Sequence, residues 1–184
     1  MEPINCVEAR SRQLQPTERL VQRLLHPDDA AAVHAIYMDE TVIPYLTVDP
    51  MPRPEFAAML NDYIAAGTFR VFERRREIVG FANVTRFIGR SKHVAQLGPL
   101  AVKASHQGSG VAHTIFTMLL DDLRADGVRR VELTVEVDNP RAIRFYQRQG
   151  MAIEGTLRGA YRRAHEDRDI DSYMMALLLA HIEE

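Results

Sequence analysis

Hydrophobic residues recur along this chain with two periods, and the change from one to the other marks out its elements. Val131, Leu133, Val135 and Val137 alternate with Glu132, Thr134 and Glu136, the period of a strand with one buried face. From Ser109 to Asp126 the apolar positions Val111, Ile115, Met118, Leu119 and Leu123 fall three and four apart, which predicts an amphipathic helix ended by Gly127. A short strand from Glu18 through Leu25 stops at His26 and Pro27. Asp28 and Asp29 then open a helix through Val33, Ile36 and Tyr37, their charge suiting its positive end. Ile43 to Pro54 carries Pro44, Pro50, Pro52 and Pro54, so it is read as a stiff loop without regular structure. It leads to a second helix over Glu55–Ala65, ended by Gly67.

The middle of the chain is strand-like. Thr68–Glu73 and Ile78–Phe87 flank Arg74, Arg75 and Arg76, a hairpin whose arginines are read as a solvated tip in preference to an anion site. A third strand, His93 to Val102, is interrupted at Gly98 and Pro99, where proline cannot donate to a ladder and a bulge or opened pairing is expected. Asn139–Gln149 is a helix ended by Gly150, and strands follow near Met151–Leu157 and Asp169–Leu178. The order is strand, two helices, three strands, helix, strand, helix, two strands. Residues 1–16 show no periodicity and are expected to form a flexible arm before a single domain over 17–184.

Composition narrows the class. With 184 residues, 46% hydrophobic and 26% charged, the chain has room for one ordinary globular core. Its 23 basic and 25 acidic residues give a net charge of −2, a poor electrostatic footprint for nucleic acid. No apolar run reaches membrane-spanning length, and no secretory-type apolar segment opens the chain. Cys6 is the only cysteine, so neither a disulfide framework nor a cysteine-based zinc site is expected, and no metal site is assigned. These features suit a cytoplasmic protein.

Two segments carry chemistry. After Val102 come Gln107, Gly108, Ser109 and Gly110, and a helix starts at once. Glycines let consecutive N–H groups turn toward one point, and the helix N-terminus adds positive charge, a cradle suited to pyrophosphate. A plain strand-to-helix turn uses the same residues. The turn is not a nucleotide P-loop, lacking Gly-Lys-Ser/Thr, nor a dinucleotide fingerprint, lacking a third glycine in an early βαβ unit. In the second segment Asn139 and Pro140 suit the cap and first position of a helix. Tyr146 lies two turns on, on nearly the same face as Asn139, where a tyrosine also serves as core packing.

Together, Gln107-x-x-Gly110-x-Ala112 and Asn139-x-x-Ala142-x-x-x-Tyr146-x-x-x-Gly150 resemble the paired motifs of the GCN5-related N-acetyltransferase superfamily, over roughly Glu18 to Leu179. Within it, His93-Val-Ala-Gln-Leu-Gly, Val131 through Asn139, and Ile153-Glu-Gly-Thr with Asp171-Ser-Tyr-Met-Met175 are similar to the L-amino-acid N-acetyltransferases. Less closely, they are similar to enzymes acting on ribosomal-protein N-termini. Met151 departs from the usual phenylalanine, a difference in packing. The resemblance implies an α+β fold: a mixed, mostly antiparallel, twisted sheet of about seven strands flanked by about four helices, with two strands splayed near Gly98 and Pro99. It implies acetyl-CoA as co-substrate, its pyrophosphate on the backbone of Gln107, Gly108, Ser109, Gly110, Val111 and Ala112, with Leu100, Val102, Asn139 and Ala142 also at the cofactor. It implies that Tyr146 protonates the departing thiolate.

An ammonium cannot attack a thioester, so a base or a desolvating pocket has to supply the neutral amine. His93, at the start of the interrupted strand, is the base candidate, with an exposed strand-end histidine as its other reading. Glu132 and Glu136 alternate away from the apolar face and are read as solvated sheet residues. The acceptor is expected to be a free L-amino acid or similar small amine. Arg158, Arg162 or Arg163 would then hold its carboxylate, or simply neutralise Glu166, Asp167 and Asp169. Rival readings are an N-terminal protein acetyltransferase and a non-catalytic acyl-CoA sensor. Oligomeric state stays open, a homodimer being the superfamily's common habit.

Overall fold

Among the described residues, seven strands form one sheet in the order β1-β2-β3-β4-β5-β7-β6: β1 (Val21–Leu24), β2 (Phe69–Arg74), β3 (Glu77–Arg86), β4 (Val94–Val102), β5 (Arg130–Glu136), β6 (Ala152–Tyr161) and β7 (Ile170–Leu178). The helices are α1 (Ala30–Tyr37), α2 (Arg53–Ala66), α3 (Val111–Ala125) and α4 (Pro140–Arg148). This computed structural model describes residues 19–164 and 166–179, so the arm expected over 1–16 lies outside the described residues. The order of elements is the one the hydrophobic pattern predicts. Only β4 and β5 pair in parallel; every other neighbouring pair is antiparallel. The parallel pair needs a crossover, and α3 supplies it.

Each face of the sheet has its own core. Helices α3 and α4 cover one face, where Val111, Ile115, Phe116, Leu119 and Tyr146 meet Ala82, Leu97, Val131, Leu133 and Val135. Phe116 and Leu120 are buried too, widening the α3 stripe beyond the positions its period marks. Helices α1 and α2 cover the other face, packing Val33, Tyr37, Phe56 and Leu60 on Val71, Phe81 and Ala101. That second core takes no residue from β5, β6 or β7. The polar side of β5 is therefore left without a helix over it.

Several boundaries differ from the sequence reading. The proline-rich stretch holds a 3-10 turn over Ile43–Tyr45. Helix α2 begins at Arg53 rather than Glu55, because a first-turn proline, Pro54, loses no intrahelical hydrogen bond. Strand β6 runs on to Tyr161, which pairs with Ile170 across an irregularity after Leu157. The strand expected near Met151–Leu157 thus extends to Tyr161. The hairpin tip matches its reading at Arg75 and Arg76, which are exposed with φ of 53° and 64°, a tight turn whose twist suits antiparallel strands, while Arg74 is half-buried at the end of β2.

The interruption in β4 is a bulge. Val84 pairs with Leu97 and Ala82 with Leu100, so Asn83 faces both Gly98 and Pro99. On the other edge, Val94–Gln96 pair with Arg130–Glu132 and the pairing goes no further. An extra residue bends the strand, and β4 and β5 part toward their carboxyl ends.

Candidate active site

A cleft of ≈ 1030 Å³ opens where β4 and β5 part. Its walls are β4 from Gln96 to Val102, the following turn, the end of β5, one face of α4, and Glu40–Thr47 between α1 and α2. Open sheets with crossovers place such a crevice at the carboxyl ends of their strands.

At one end lies the glycine turn. Gly108 and Gly110 hold φ of 74° and 85°, and a Cβ at either would meet no atom within 4 Å. Backbone conformation, not crowding, therefore calls for glycine, and both positions open onto free space. Gly110 is the N-cap of α3 and no side chain caps the helix there, so its first N–H groups remain available to an anion. Gln107 is locked in place: its Nε2 donates to the Val102 carbonyl at 3.0 Å, and Arg141 donates to its Oε1 at 2.8 Å. That bond brings a guanidinium to the rim of the cleft. His113 contacts Gln149 at 2.8 Å, joining α3 to α4.

At the other wall, Asn139 caps α4, its Oδ1 accepting from the Ala142 N–H at 3.0 Å, with Pro140 in the first turn. The Tyr146 ring packs on Phe145 and Phe116, with centroids 5.2 Å and 6.0 Å away. Burial, and secondarily the nearby Glu136 carboxylate, push its phenol well above the usual tyrosine range. Its hydroxyl has no hydrogen-bond partner among the described residues.

The structure brings Leu100, Val102, Gln107, Gly108, Gly110, Ala112, Asn139, Ala142 and Tyr146 to this one cleft. Ser109 and Val111 stand outside its lining. The Ser109 hydroxyl donates to the His106 carbonyl at 2.6 Å, and the Val111 side chain is buried in the α3 core, leaving only their backbone for a ligand. His93 is a correction. It sits just before β4, its carbonyl accepting from the Arg129 and Arg130 N–H groups, at the end where β4 and β5 are still paired. Five residues of extended chain, about 16 Å, separate it from Gly98. It does not line the cleft.

Glu132 and Glu136 differ although they share a strand face. Glu132 pairs with Arg130 at 2.9 Å, as a sheet-surface residue does. Glu136 lines the cleft half-buried, and burial pushes its carboxyl above the ordinary range despite the attraction of Arg163. Alternation located its face correctly. The cover over that face comes from distant chain: the Tyr161 hydroxyl donates to the Leu46 carbonyl at 2.5 Å, and Arg163 donates to the Pro44 carbonyl at 2.8 Å. The three arginines offered for a carboxylate do not line the cleft. Arg163 is bidentate to Asp138 at 2.9 and 3.0 Å and pairs with Glu166 at 3.0 Å. Arg162 pairs with Asp169 at 2.6 Å, and Arg158 is exposed on β6.

Comparison with known proteins bears on this arrangement. Residues 30–151 match the model of the Acetyltransferase (GNAT) family. The chain belongs to this family. It is 36% identical over 83 residues to a mycothiol acetyltransferase of Brachybacterium faecium, covering 45% of this chain and 25% of the relative. It is also 36% identical over 91 residues to an L-amino acid N-acetyltransferase of Escherichia coli, covering 47% of this chain and 52% of the relative. The chain thus spans a quarter and about half of the length of these relatives. Among solved structures, the spermidine N-acetyltransferase of Vibrio cholerae in complex with CoA and spermine superposes with a TM-score of 0.74 at 23% identity, covering 86% of this chain and 95% of that one. This likeness shows a shared GNAT fold. Among the described residues no helix is long and apolar enough to cross a membrane, and no group of three or more His, Cys, Asp or Glu side chains is arranged to hold a metal ion.

Proposed function

We propose that this chain transfers the acetyl group of acetyl-CoA to the primary amine of a small acceptor. The observation that carries the reading is the open glycine turn at the uncapped start of α3, facing Tyr146 across a cleft between parted parallel strands. The donor set fits acetyl-CoA. The Gly108–Ala112 backbone and Arg141 suit its pyrophosphate, and the unpaired edge of β4 from Leu97 to Val102 offers backbone groups to an extended amide-containing arm. Bound there, acetyl-CoA supplies the acetyl group as a thioester, already activated toward amines.

The chain's own residues do the rest. The cleft takes the acceptor from the side of Glu40–Thr47 and Glu136 and shields its amine from water, which favours the neutral, nucleophilic form. Tyr146 keeps its proton at every physiological pH, because its phenol is shifted upward. It thus presents an O–H to the sulfur as charge gathers there. A free L-amino acid is one acceptor class within this reading, and an E. coli relative is named for that substrate. The ties from Leu46 and Pro44 to Tyr161 and Arg163 fix the segment after α1 over the acceptor side.

A screen of primary amines with acetyl-CoA, read by thiol release and by the mass of the product, tests the proposal. Thiol release that requires both substrates is expected. Acetyl-CoA binding with no turnover across the panel would instead identify a sensor.

A further inference from the structure

The two ends of the cleft carry opposite charge. Arg141 and Arg148 line the end with the glycine turn. Glu136 and Glu40 line the other end, with Asp138 two residues after Glu136 in sequence and Asp49 bound to the Ala164 N–H at 3.4 Å. The cation closest to these acids is fully engaged. Arg163 gives its Nε–H to Pro44 and its two terminal nitrogens to Asp138 and Glu166. Its guanidinium also lies over the rings of Tyr45 and Tyr161, at 5.7 and 5.6 Å. Arg168 in turn pairs with Glu166 at 2.9 Å and with Asp138 at 3.4 Å. Among the described residues no guanidinium lines this end of the cleft, so a carboxylate on the acceptor would face acids.

Glu136 differs from the other acids here: it is half-buried, whereas Glu40 is exposed. Asp138 and Glu166 have arginine partners, whereas the Glu136 carboxylate has no ion pair and, beyond its own backbone amide, no hydrogen bond among the described residues. It is half-buried, it lines the cleft, and it lies close enough to Tyr146 for its charge to be felt there. A desolvated carboxylate without a partner is unfavourable unless a cation comes to it.

Resting on the transferase reading above, we infer that Glu136 receives the acceptor's amine, and that the acceptor is a cationic amine of the diamine or polyamine class, without a carboxylate near the reacting nitrogen. Glu136 holds the ammonium and takes its proton. The amine nitrogen then forms the new N–C bond to the acetyl carbon as the C–S bond breaks; the sulfur takes a proton from Tyr146, and the second proton shed by the nitrogen as the amide forms restores the Tyr146 hydroxyl through solvent. The proton on Glu136 leaves to solvent. Glu40, on the wall formed by Glu40–Thr47, meets the second ammonium of a longer acceptor. Burial strengthens Glu136 in this role, because a carboxyl pushed upward is a better base.

The test compares putrescine, butylamine and gamma-aminobutyrate, which share a four-carbon chain and differ in what replaces the second amine. With the full chain and saturating acetyl-CoA, kcat/KM should fall in that order. Putrescine should exceed gamma-aminobutyrate by about tenfold or more, the scale on which an attractive charge contact replaced by a repulsive one is read out. Glu136→Gln should lower kcat/KM for putrescine about 10²-fold, the scale of a lost general base, with calorimetric affinity for acetyl-CoA unchanged. The wild-type substrate order needs no variant and stands even if Glu136→Gln folds poorly. Gamma-aminobutyrate or free amino acids turning over as fast as putrescine would overturn the inference and leave the transferase reading in place, as would unchanged kinetics in a folded Glu136→Gln. If acetyl-CoA binds and no amine releases thiol, the transferase reading itself fails and the inference falls with it.

Discussion

At the scale of single residues, Tyr146 is held by packing rather than by hydrogen bonds. Its ring is fixed against Phe116 and Phe145, and its hydroxyl is left for whatever enters the cleft. Tyr146→Phe keeps that packing and removes one O–H, so kcat should drop by about tenfold or more, with acetyl-CoA affinity unchanged. Single-turnover kinetics checks this, and equal rates would reduce Tyr146 to a core residue. The sign of its pKa shift adds a second expectation. A phenol shifted upward stays protonated through the alkaline range, so Tyr146 should impose no alkaline fall in kcat below about pH 10. Tyr146 and Asn139 were legible because their spacing along one helix puts them on one wall. Glu136 was legible only as to its face, since its burial is made by Leu46, Tyr161 and Arg163 from remote parts of the chain. His93 stands apart from the cleft for a related reason: the sequence places it at the start of β4 but does not say at which end that strand leaves β5.

At the scale of elements, the cleft exists because β4 obeys two neighbours differently. It stays paired with β3 along its length, through a bulge opposite Asn83, and leaves β5 after Gln96. Pro99, which has no N–H to donate, marks that break in the sequence. Boundaries set by tertiary contact were not legible, as the run of β6 to its pairing with Ile170 illustrates. On the far side of β4, α3 presses onto the sheet at Gly80. A Cβ there would lie 2.8 Å from both the Ala101 carbonyl oxygen and Ile115 Cδ1. The Ile115 side chain can shift, but the carbonyl belongs to a paired strand. Gly80→Ala should therefore destabilise the fold by about 1–3 kcal/mol, the usual cost of overpacking. Chemical denaturation would reveal it as a lower midpoint at unchanged slope. A midpoint equal to that of the parent chain would mean that the α3–β4 contact relaxes freely.

Across the whole molecule, two separately built cores meet at the line where β4 and β5 separate. Helices α3 and α4 belong to one core and supply the turn, the cap and Tyr146; the segment after α1 belongs to the other and closes the acceptor side. A ligand lying in the cleft bridges both, so its binding should stabilise the molecule as a unit. At a free concentration near a hundred times Kd, a ligand binding only the folded chain adds about 2.7 kcal/mol. For a domain of this size, that corresponds to a rise in Tm of about 5–10 °C. Acetyl-CoA should produce such a rise in a thermal scan, and a smaller one as salt is raised, because part of its hold is a phosphate at a helix N-terminus. Gly110→Glu puts a carboxylate at that N-terminus and forces a side chain onto a residue with φ of 85°, so its own Tm should be lower. The informative quantity is therefore the ligand-induced rise, measured for each protein against its own baseline, and it should vanish in Gly110→Glu. If that variant retains the full rise, acetyl-CoA is held somewhere other than the turn after Val102.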